Sequence, residues 1–474
     1  MKVVVIGAGP NGLTAAATLQ KAGAEVTLVD MRGAPGGRFE GEVPVLHDTS
    51  LVSPTVVRDL GLPLSWTDAP IPHLPDGTAL ERPPSWTEFT DTWRPLIRSL
   101  CEEEAPDIGD EAPLWPLAMK ALGLRKPGTS TMMELLRRLP QSLHDLLSEF
   151  FEDERQKALL MPSGLLGSWM GPISPTAGAG LLLVEALRGK EPEGGHQSLI
   201  EALAKAAPGI TPGRVADILV EKGRVVGVDL YDGSGSLSQN WLPPNAARPI
   251  HRERLRIHAD AVISCVGPVT TLHDLVHPRH LPDSLHADLG DIRSRGIVAK
   301  LHLTLSERLF AQDLVRTSDH PLDLERAFDH AKHRRLPMRP PLEVRHLQGG
   351  KAASVLLSCA AWDLDGGWTE EARAELQGRI VAELEHHAPG ARDRIQTMEL
   401  ITPADLEQHW GLDQGNPFQA ELAIDQLYVM RPLPRLARGE TGISGLVLGS
   451  DGQHPGVGPT LIPGWLAAKR VLRV

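Results

Sequence analysis

The first apolar run, Val3 to Ile6, is continuous and β-branched, the pattern of a parallel strand buried on both faces. A turn at Gly7 to Gly12 follows, then an Ala- and Leu-rich stretch from Leu13 to Ala22 that predicts a helix stopped by Gly23. Glu25 to Val29 predicts a second strand, ending at Asp30, so the chain opens with a complete β-α-β unit. Val56 to Leu60 predicts a short helix closed by Gly61, and the run from Pro63 to Pro84 is loop-rich with a turn at Pro75-Asp76-Gly77. Residues 86 to 190 read mostly helical, with segments at 86–104, 131–139, 143–160 and 178–189. Gly194-Gly195 opens a further helix, Leu199 to Ala206. Strands are then expected at Val215 to Val220 and Arg224 to Tyr231 around Lys222-Gly223, before a turn at Asp232-Gly233-Ser234-Gly235. Arg254 to His258 and Ala261 to Cys265 continue that pattern, the latter running into a tight turn at Gly267-Pro268. Ala299 to Leu305 and Ser354 to Cys359 look like strands of a different sheet, with helices at 369–387 and 403–410. A final strand at Gly445 to Gly449 and a helix from Gly464 to Leu472 close the chain.

At 474 residues the chain exceeds the size of a single core, and its 41% hydrophobic and 23% charged residues are those of a soluble globular protein. The net charge of −12 argues against nucleic acid and against anionic membrane surfaces, because both need a basic face. No stretch reaches the length of a transmembrane segment, although peripheral membrane contact through loops stays compatible with the pattern. Cys101, Cys265 and Cys359 are widely spaced, without a Cys-x-x-Cys pair, which supports neither a disulfide framework nor a metal site and suits a cytoplasmic location. Oligomeric state leaves no mark in the sequence.

The turn after the first strand, Gly7-Ala8-Gly9-Pro10-Asn11-Gly12, gives each glycine a mechanical task. Gly7 makes the tight turn, Gly9 lets backbone approach a pyrophosphate, and Gly12 lets the helix pack closely on the strand. The helix N-terminus then presents its partial positive charge to the phosphates. Asp30, about 20 residues beyond the glycines, can accept the ribose hydroxyls, and its charge disfavours a 2′-phosphate. This is a Rossmann-type dinucleotide site.

The next residues, Met31-Arg32-Gly33-Ala34-Pro35-Gly36-Gly37-Arg38, carry a Gly-Gly-Arg similar to the extended fingerprint of the FAD-binding amine oxidase and phytoene desaturase superfamily. In that family the paired glycines pass close to the cofactor and the arginine meets the pyrophosphate. The C-terminal run Gly449-Ser450-Asp451-Gly452-Gln453-His454-Pro455-Gly456-Val457-Gly458-Pro459 and the closing helix resemble the flavin motif of the same family, in the branch of pyridine nucleotide-disulphide oxidoreductase domain-containing proteins. Ser264-Cys265-Val266-Gly267-Pro268 and the stretch from Thr402-Pro403 to Arg431-Pro432 agree with that branch. The resemblance implies FAD as cofactor. Val215 would then meet the adenine through its backbone, Cys265 and Gly267 would flank the cofactor, and Gly449, Asp451, Gly458, Pro459, Thr460 and Leu461 would carry its flavin end. Pro459 to Trp465 is bulkier here than the small residues usual in relatives, which reshapes the surface expected to face the ring.

The implied architecture is α/β, a Rossmann-type FAD-binding domain interleaved with a mixed sheet and a helical substrate domain. The first takes residues 1–60, 194–275 and 440–474; the second takes 61–193, which holds the helical insertion, and 276–439. The implied activity is dehydrogenation or desaturation of an apolar, natural-product-like small molecule over the flavin, with oxygen or a quinone as acceptor. His454, Asp451 and Lys300 are candidate catalytic groups, Lys300 because a strand lysine occurs in amine oxidases. An amine oxidase is the second reading, set back because only Tyr231 and Tyr428 exist to build an aromatic cage. The third is a flavin-bound interaction protein that retains the fold without turnover. A dedicated NAD(P)H domain is not expected, since no second glycine fingerprint follows a strand.

Overall fold

A computed structural model describes residues 1–41, 44–108, 128–231 and 254–473. The N-terminal strand Lys2–Ile6 lies at the centre of a five-stranded parallel sheet. Glu25–Asp30 and then Ile210–Pro212 pair on one side; Ala261–Ser264 and then Leu446–Leu448 pair on the other. Its central position explains the unbroken apolarity, because both faces are covered and Val3, Val4 and Val5 are fully buried. The closing helix Ile462–Val471 packs on the first helix, Pro10–Lys21. The FAD-type fold expected from the opening motif is therefore present, a parallel α/β sheet joined to a mixed remainder.

A second, five-stranded antiparallel sheet has the order Leu314–Arg316, Leu342–Leu347, Ala352–Leu357, Ala299–Leu305, Ile395–Ile401. Strand alternation divides its side chains. Ala299, Leu301, Leu303, Val344, Val355 and Leu357 join one hydrophobic core with Ala327 and Phe328 of the helix Pro321–Lys332 and Leu376, Ile380 and Leu384 of the helix Glu370–His387. Lys300, His302, Glu343, Arg345 and Ser354 therefore share the other face. Arg214–Glu221, Arg224–Tyr231 and Arg254–His258 form a third, antiparallel sheet.

Two expectations change. The segment 143–160 is two helices, Leu143–Ser148 and Glu154–Leu160, because the Asp153 side chain caps the second by accepting from the Arg155 N–H. Phe150 and Phe151 fall in the break and pack against Trp86, with Phe150 also stacked on Phe89. The second sheet gains Leu314–Arg316, Leu342–Leu347 and Ile395–Ile401 beyond the two strands read from the pattern. The turn expected at Asp232 to Gly235 lies outside the described residues. No described helix is long and apolar enough to cross a membrane.

Candidate functional site

After Ile6 the chain turns at Gly7, whose φ of 94° favours glycine, and enters the first helix at Pro10. Gly9, the N-cap residue, supplies no side-chain cap, so the first-turn N–H groups open into a cleft at the carboxyl end of the parallel strands. Gly7, Gly9, Pro10, Asn11, Gly12, Asp30, Met31, Arg32, Gly37, Arg38, Val215, Cys265 and Asp451 line it. A Cβ on Gly9 would meet no protein atom within 4 Å, so at this point backbone borders open space. Asp30 is oriented by two backbone donors, Ala8 N–H to Oδ2 and Arg32 N–H to Oδ1, both 2.8 Å. Burial raises its carboxyl and these donors oppose the rise.

Arg38 sits where the two ends of the chain converge. Its guanidinium pairs with Asp451 through Nη2 and with the Pro417 carbonyl through Nη1, while the buried Nε meets no acceptor. Burial pulls it down to about 9, so it stays charged at neutral pH. The other Asp451 oxygen accepts from Asn11 Nδ2 at 2.8 Å, and Asn11 Oδ1 accepts the Gly464 N–H at 3.4 Å. One asparagine thus ties the first helix to the C-terminal loop and to the closing helix. Helix N-terminus, oriented carboxylate, glycine-bordered space and a buried guanidinium with a spare donor are the donor set that a dinucleotide's ribose and pyrophosphate require.

A second cavity lies on the other side of the Arg38–Asp451 pair, with Gly458 in its wall. A Cβ on Gly458 would stand 2.6 Å from the Asp451 carboxylate oxygen and collide with Arg38, so the backbone there packs directly on the Arg38–Asp451 pair of the cleft. Leu46, Leu51, Leu165, Met170, Leu324, Phe328, Leu356 and Phe418 make most of its wall. Its polar corner holds His47, Asp48, Arg188, Lys300, Arg316 and Glu343. Arg188 reaches Glu185 at 3.1 Å, Ser50 Oγ at 3.0 Å and Asp48 at 3.4 Å; Arg316 Nε donates to Glu343 at 2.7 Å. Burial would raise Glu343, but Arg316 and His47 outweigh it and hold the carboxyl well below the ordinary range.

Burial lowers Lys300 from 10.5 to about 7. Within that window the unfolded chain holds a proton that the folded chain lacks, so this residue makes stability rise with pH. Lys300→Met is expected to flatten the rise; urea midpoints of both proteins at the two ends of the window check it.

Several predicted residues lie elsewhere. His454 faces neither cavity: its Nε2 pairs with the Leu100 carbonyl at 2.8 Å and its ring packs edge-on against Tyr428. Arg431 grips the carbonyls of Asp451 and Gly456 on either side of this buried turn. Asp451 is engaged by Arg38 and Asn11 at the cleft, and Lys300 lines the second cavity instead. Gly36 shapes the turn, with φ 115° and its N–H on the Ala8 carbonyl at 2.9 Å, without lining the cleft. Gly267 packs on Asp413 and Gly449 on Ala467. Pro459, Thr460 and Leu461 are buried outside both linings, where the Thr460 carbonyl accepts the Ser53 N–H at 3.2 Å. The pattern singled out neither Trp410 and Gln419 in the cleft nor His47, Arg316 and Glu343 in the cavity. Charged residues alternating with core positions, as in Leu342-Glu343-Val344-Arg345, were the available signal.

Residues 5–69 match an NAD(P)-binding Rossmann-like domain, and residues 54–472 match the flavin containing amine oxidoreductase family. The chain is 26% identical to pyridine nucleotide-disulfide oxidoreductase domain-containing protein 2 of Rattus norvegicus over 99% of its own length and 93% of that protein's. It is 24% identical to a phytoene desaturase (lycopene-forming) of Pantoea ananas, covering 98% and 97% of the two chains. Among solved structures, an oxidoreductase from Methanosarcina mazei superposes over all of both chains with a TM-score of 0.58 at 17% identity. A putrescine oxidase superposes with a TM-score of 0.57 at 16% identity, covering 100% of this chain and 98% of that one. At such identities the superpositions show a shared fold. The family match spans nearly the whole chain and includes the C-terminal loop that meets Asn11 and Arg38: the protein belongs to the flavin containing amine oxidoreductases, as an FAD-dependent oxidoreductase.

Proposed function

We propose that the protein dehydrogenates or desaturates an apolar, natural-product-like small molecule held in the second cavity, with oxygen or a quinone taking the electrons onward. The observation that carries this reading is the cavity wall. It is aliphatic over most of its area, its carboxylates Asp48 and Glu343 are paired with Arg188 and Arg316, and its phenyl rings among the described residues are Phe328 and Phe418. A protonated amine would find these carboxylates already matched by arginines, and no aromatic cage to attract it. An apolar body is favoured by the same wall at roughly 25 cal/mol per Å² removed from water.

In this reading Asp30 holds the ribose, the first-turn N–H groups and Arg38 hold the pyrophosphate, and Val215 borders the adenine. The segments 1–60, 194–275 and 440–474 act as the FAD-binding unit, and 61–193 with 276–439 as the substrate unit. FAD, when bound, supplies the two-electron acceptor. The residues around the cavity exclude water and orient the substrate; Asp451 serves the cofactor through Arg38 and Asn11. A reducing, cytoplasmic setting suits the three unpaired thiols, of which Cys101 and Cys359 are buried and Cys265 lies partly buried at the cleft.

The test is anaerobic mixing of the flavin-loaded protein with a panel of apolar polyenes and other terpenoids, and in parallel with primary and polyamines. Bleaching of the oxidised flavin by members of the apolar panel alone is the expected result. Bleaching by amines alone would transfer the assignment to amine oxidation. A flavin left oxidised by every compound would favour a protein that keeps the fold for interaction.

A further inference from the structure

Three serine hydroxyls line the second cavity, and the protein leaves each with a hydrogen to give. Ser163 comes from the short helix Pro162–Leu165, Ser318 follows the strand Leu314–Arg316, and Ser358 follows the strand Ala352–Leu357. Arg316, Glu343 and Leu356 form one cross-strand row. Ser318 and Ser358 stand two residues beyond Arg316 and Leu356, so alternation brings them to the same charged face.

The role of Ser163 is fixed by its neighbours. Its oxygen accepts from Arg188 Nη2 at 3.4 Å and from Arg316 Nη2 at 3.1 Å. A hydroxyl has two lone pairs and one hydrogen, so with both lone pairs engaged Ser163 can meet a third group only as a donor. The guanidinium groups are not free to release it. Arg316 also holds Glu343 and the Leu159 carbonyl, and Arg188 also holds Glu185, Asp48 and Ser50. Among the described residues the Ser163 hydrogen meets no acceptor, and the hydroxyls of Ser318 and Ser358 make no hydrogen bond. Ser318 is only 9% exposed, so its hydroxyl is withdrawn from bulk water without a protein partner in return.

Charge at this corner is already settled within the protein. Asp48 and Glu343 are matched by Arg188 and Arg316, and Lys300 is engaged by His47 Nδ1 at 3.1 Å. A ligand carboxylate would find no uncommitted guanidinium, and a ligand ammonium no lone carboxylate. What the corner offers is a set of neutral O–H donors.

We propose, resting on the dehydrogenase reading above, that the substrate is an apolar molecule carrying an uncharged acceptor oxygen, a carbonyl or hydroxyl, and that Ser163, with Ser318 and Ser358 beside it, donates to that oxygen. The aliphatic wall takes the carbon skeleton and the serines take the oxygen. Anchored at one end, the skeleton keeps a single register along the cavity. A plain hydrocarbon would bury the same hydroxyls without a partner, and the site disfavours it for that reason.

The test is equilibrium dialysis of the flavin-loaded protein against one carbon skeleton in five forms: menthane, menthol, menthone, menthylamine and menthane carboxylate. A hydrocarbon leaves water more readily than its ketone, so each ligand is compared between proteins. Ser163→Ala is expected to weaken menthone and menthol about tenfold and to leave menthane within about twofold. Ser318→Ala and Ser358→Ala remove no bond within the protein. Each is expected to weaken menthone about threefold and to unfold at the wild-type temperature or slightly above, since a hydroxyl without a partner does not support the fold. Equal losses for menthane and menthone in Ser163→Ala overturn the proposal. So do menthone binding that is absent from the wild type or unchanged in all three variants, and a larger loss for the carboxylate or the amine than for menthone. Dialysis needs no turnover, which separates the two readings. Serine-dependent binding with a flavin left oxidised by every compound of the panel above would sink the dehydrogenase reading alone; reduction by apolar compounds whose binding ignores the serines would sink this one alone.

Discussion

Gly12→Val is expected to leave a protein that elutes from purification without flavin and binds added FAD at least 100-fold more weakly, about 3 kcal/mol. A Cβ on Gly12 would overlap the Gly7 carbonyl oxygen and lie 2.8 Å from its carbon, with Cys265 Cβ at 3.6 Å. Neither side yields easily. Gly7 is fastened to the neighbouring strand by its N–H to the Val29 carbonyl at 2.7 Å, and the helix is backed by Gly464, whose own Cβ would lie 2.7 Å from the Asn11 carbonyl carbon. The helix must therefore tilt away at its N-terminus, the end that faces the phosphates. Gly9→Ala is the control, because its Cβ meets nothing in the protein within 4 Å. It is expected to unfold at the wild-type temperature and to weaken FAD binding about tenfold by entering cofactor space. Flavin fluorescence titration and thermal denaturation of the two variants decide the matter; a Gly12→Val protein with stoichiometric, tightly held FAD would show that the close approach carries no weight.

The second large effect is expected at Arg431, which is fully buried and bonded to main-chain oxygen throughout. Its guanidinium donates to the carbonyls of Phe418, Ala420, Glu421, Gln426, Asp451 and Gly456 at 2.7 to 3.2 Å. Burial lowers it to about 9, which leaves it charged at neutral pH and solvated by carbonyl dipoles in place of water. Arg431→Met keeps the length of the side chain but abandons those acceptors. Each orphaned buried carbonyl costs roughly 1 to 3 kcal/mol, and after relaxation the loss is expected at about 4 to 6 kcal/mol. Function suffers as well. The two segments joined by Arg431 carry Phe418, a wall of the second cavity, and Asp451, the partner of Arg38. Urea unfolding followed by protein fluorescence and by flavin release is expected to show both transitions at much lower urea, with Arg431→Lys in between. Unchanged midpoints for Arg431→Met would mean that water replaces the guanidinium at no cost.

The N-terminal β-α-β unit, its three spaced glycines, Asp30 and the closing strand and helix were legible in the sequence, because each is encoded within a few residues. Val3 to Ile6 is apolar throughout since a central parallel strand has no wet face, and Gly12 is glycine since the helix crosses Gly7 too closely for a side chain. Helix ends were less legible: the break at Phe150 to Asp153 depends on Asp153 capping a new helix and on two rings leaving for Trp86. Of the polar corner only Lys300 was named, through the resemblance, and its partners His47, Arg316 and Glu343 were not legible. Ala299-Lys300-Leu301-His302-Leu303 and Leu342-Glu343-Val344-Arg345 state which side chains share a face of a strand, and as sequence they read as strands with one face in water. That face is instead covered by the His47 loop, 253 residues from Lys300, and its charges are buried as mutually paired groups. His454 shows the converse, a residue inside a recognisable motif that pairs with the Leu100 carbonyl and lines neither cavity. Periodicity in a chain records which residues lie together on an element; what lies across from them depends on segments hundreds of residues away, and only the assembled fold decides whether a lysine meets water or an imidazole.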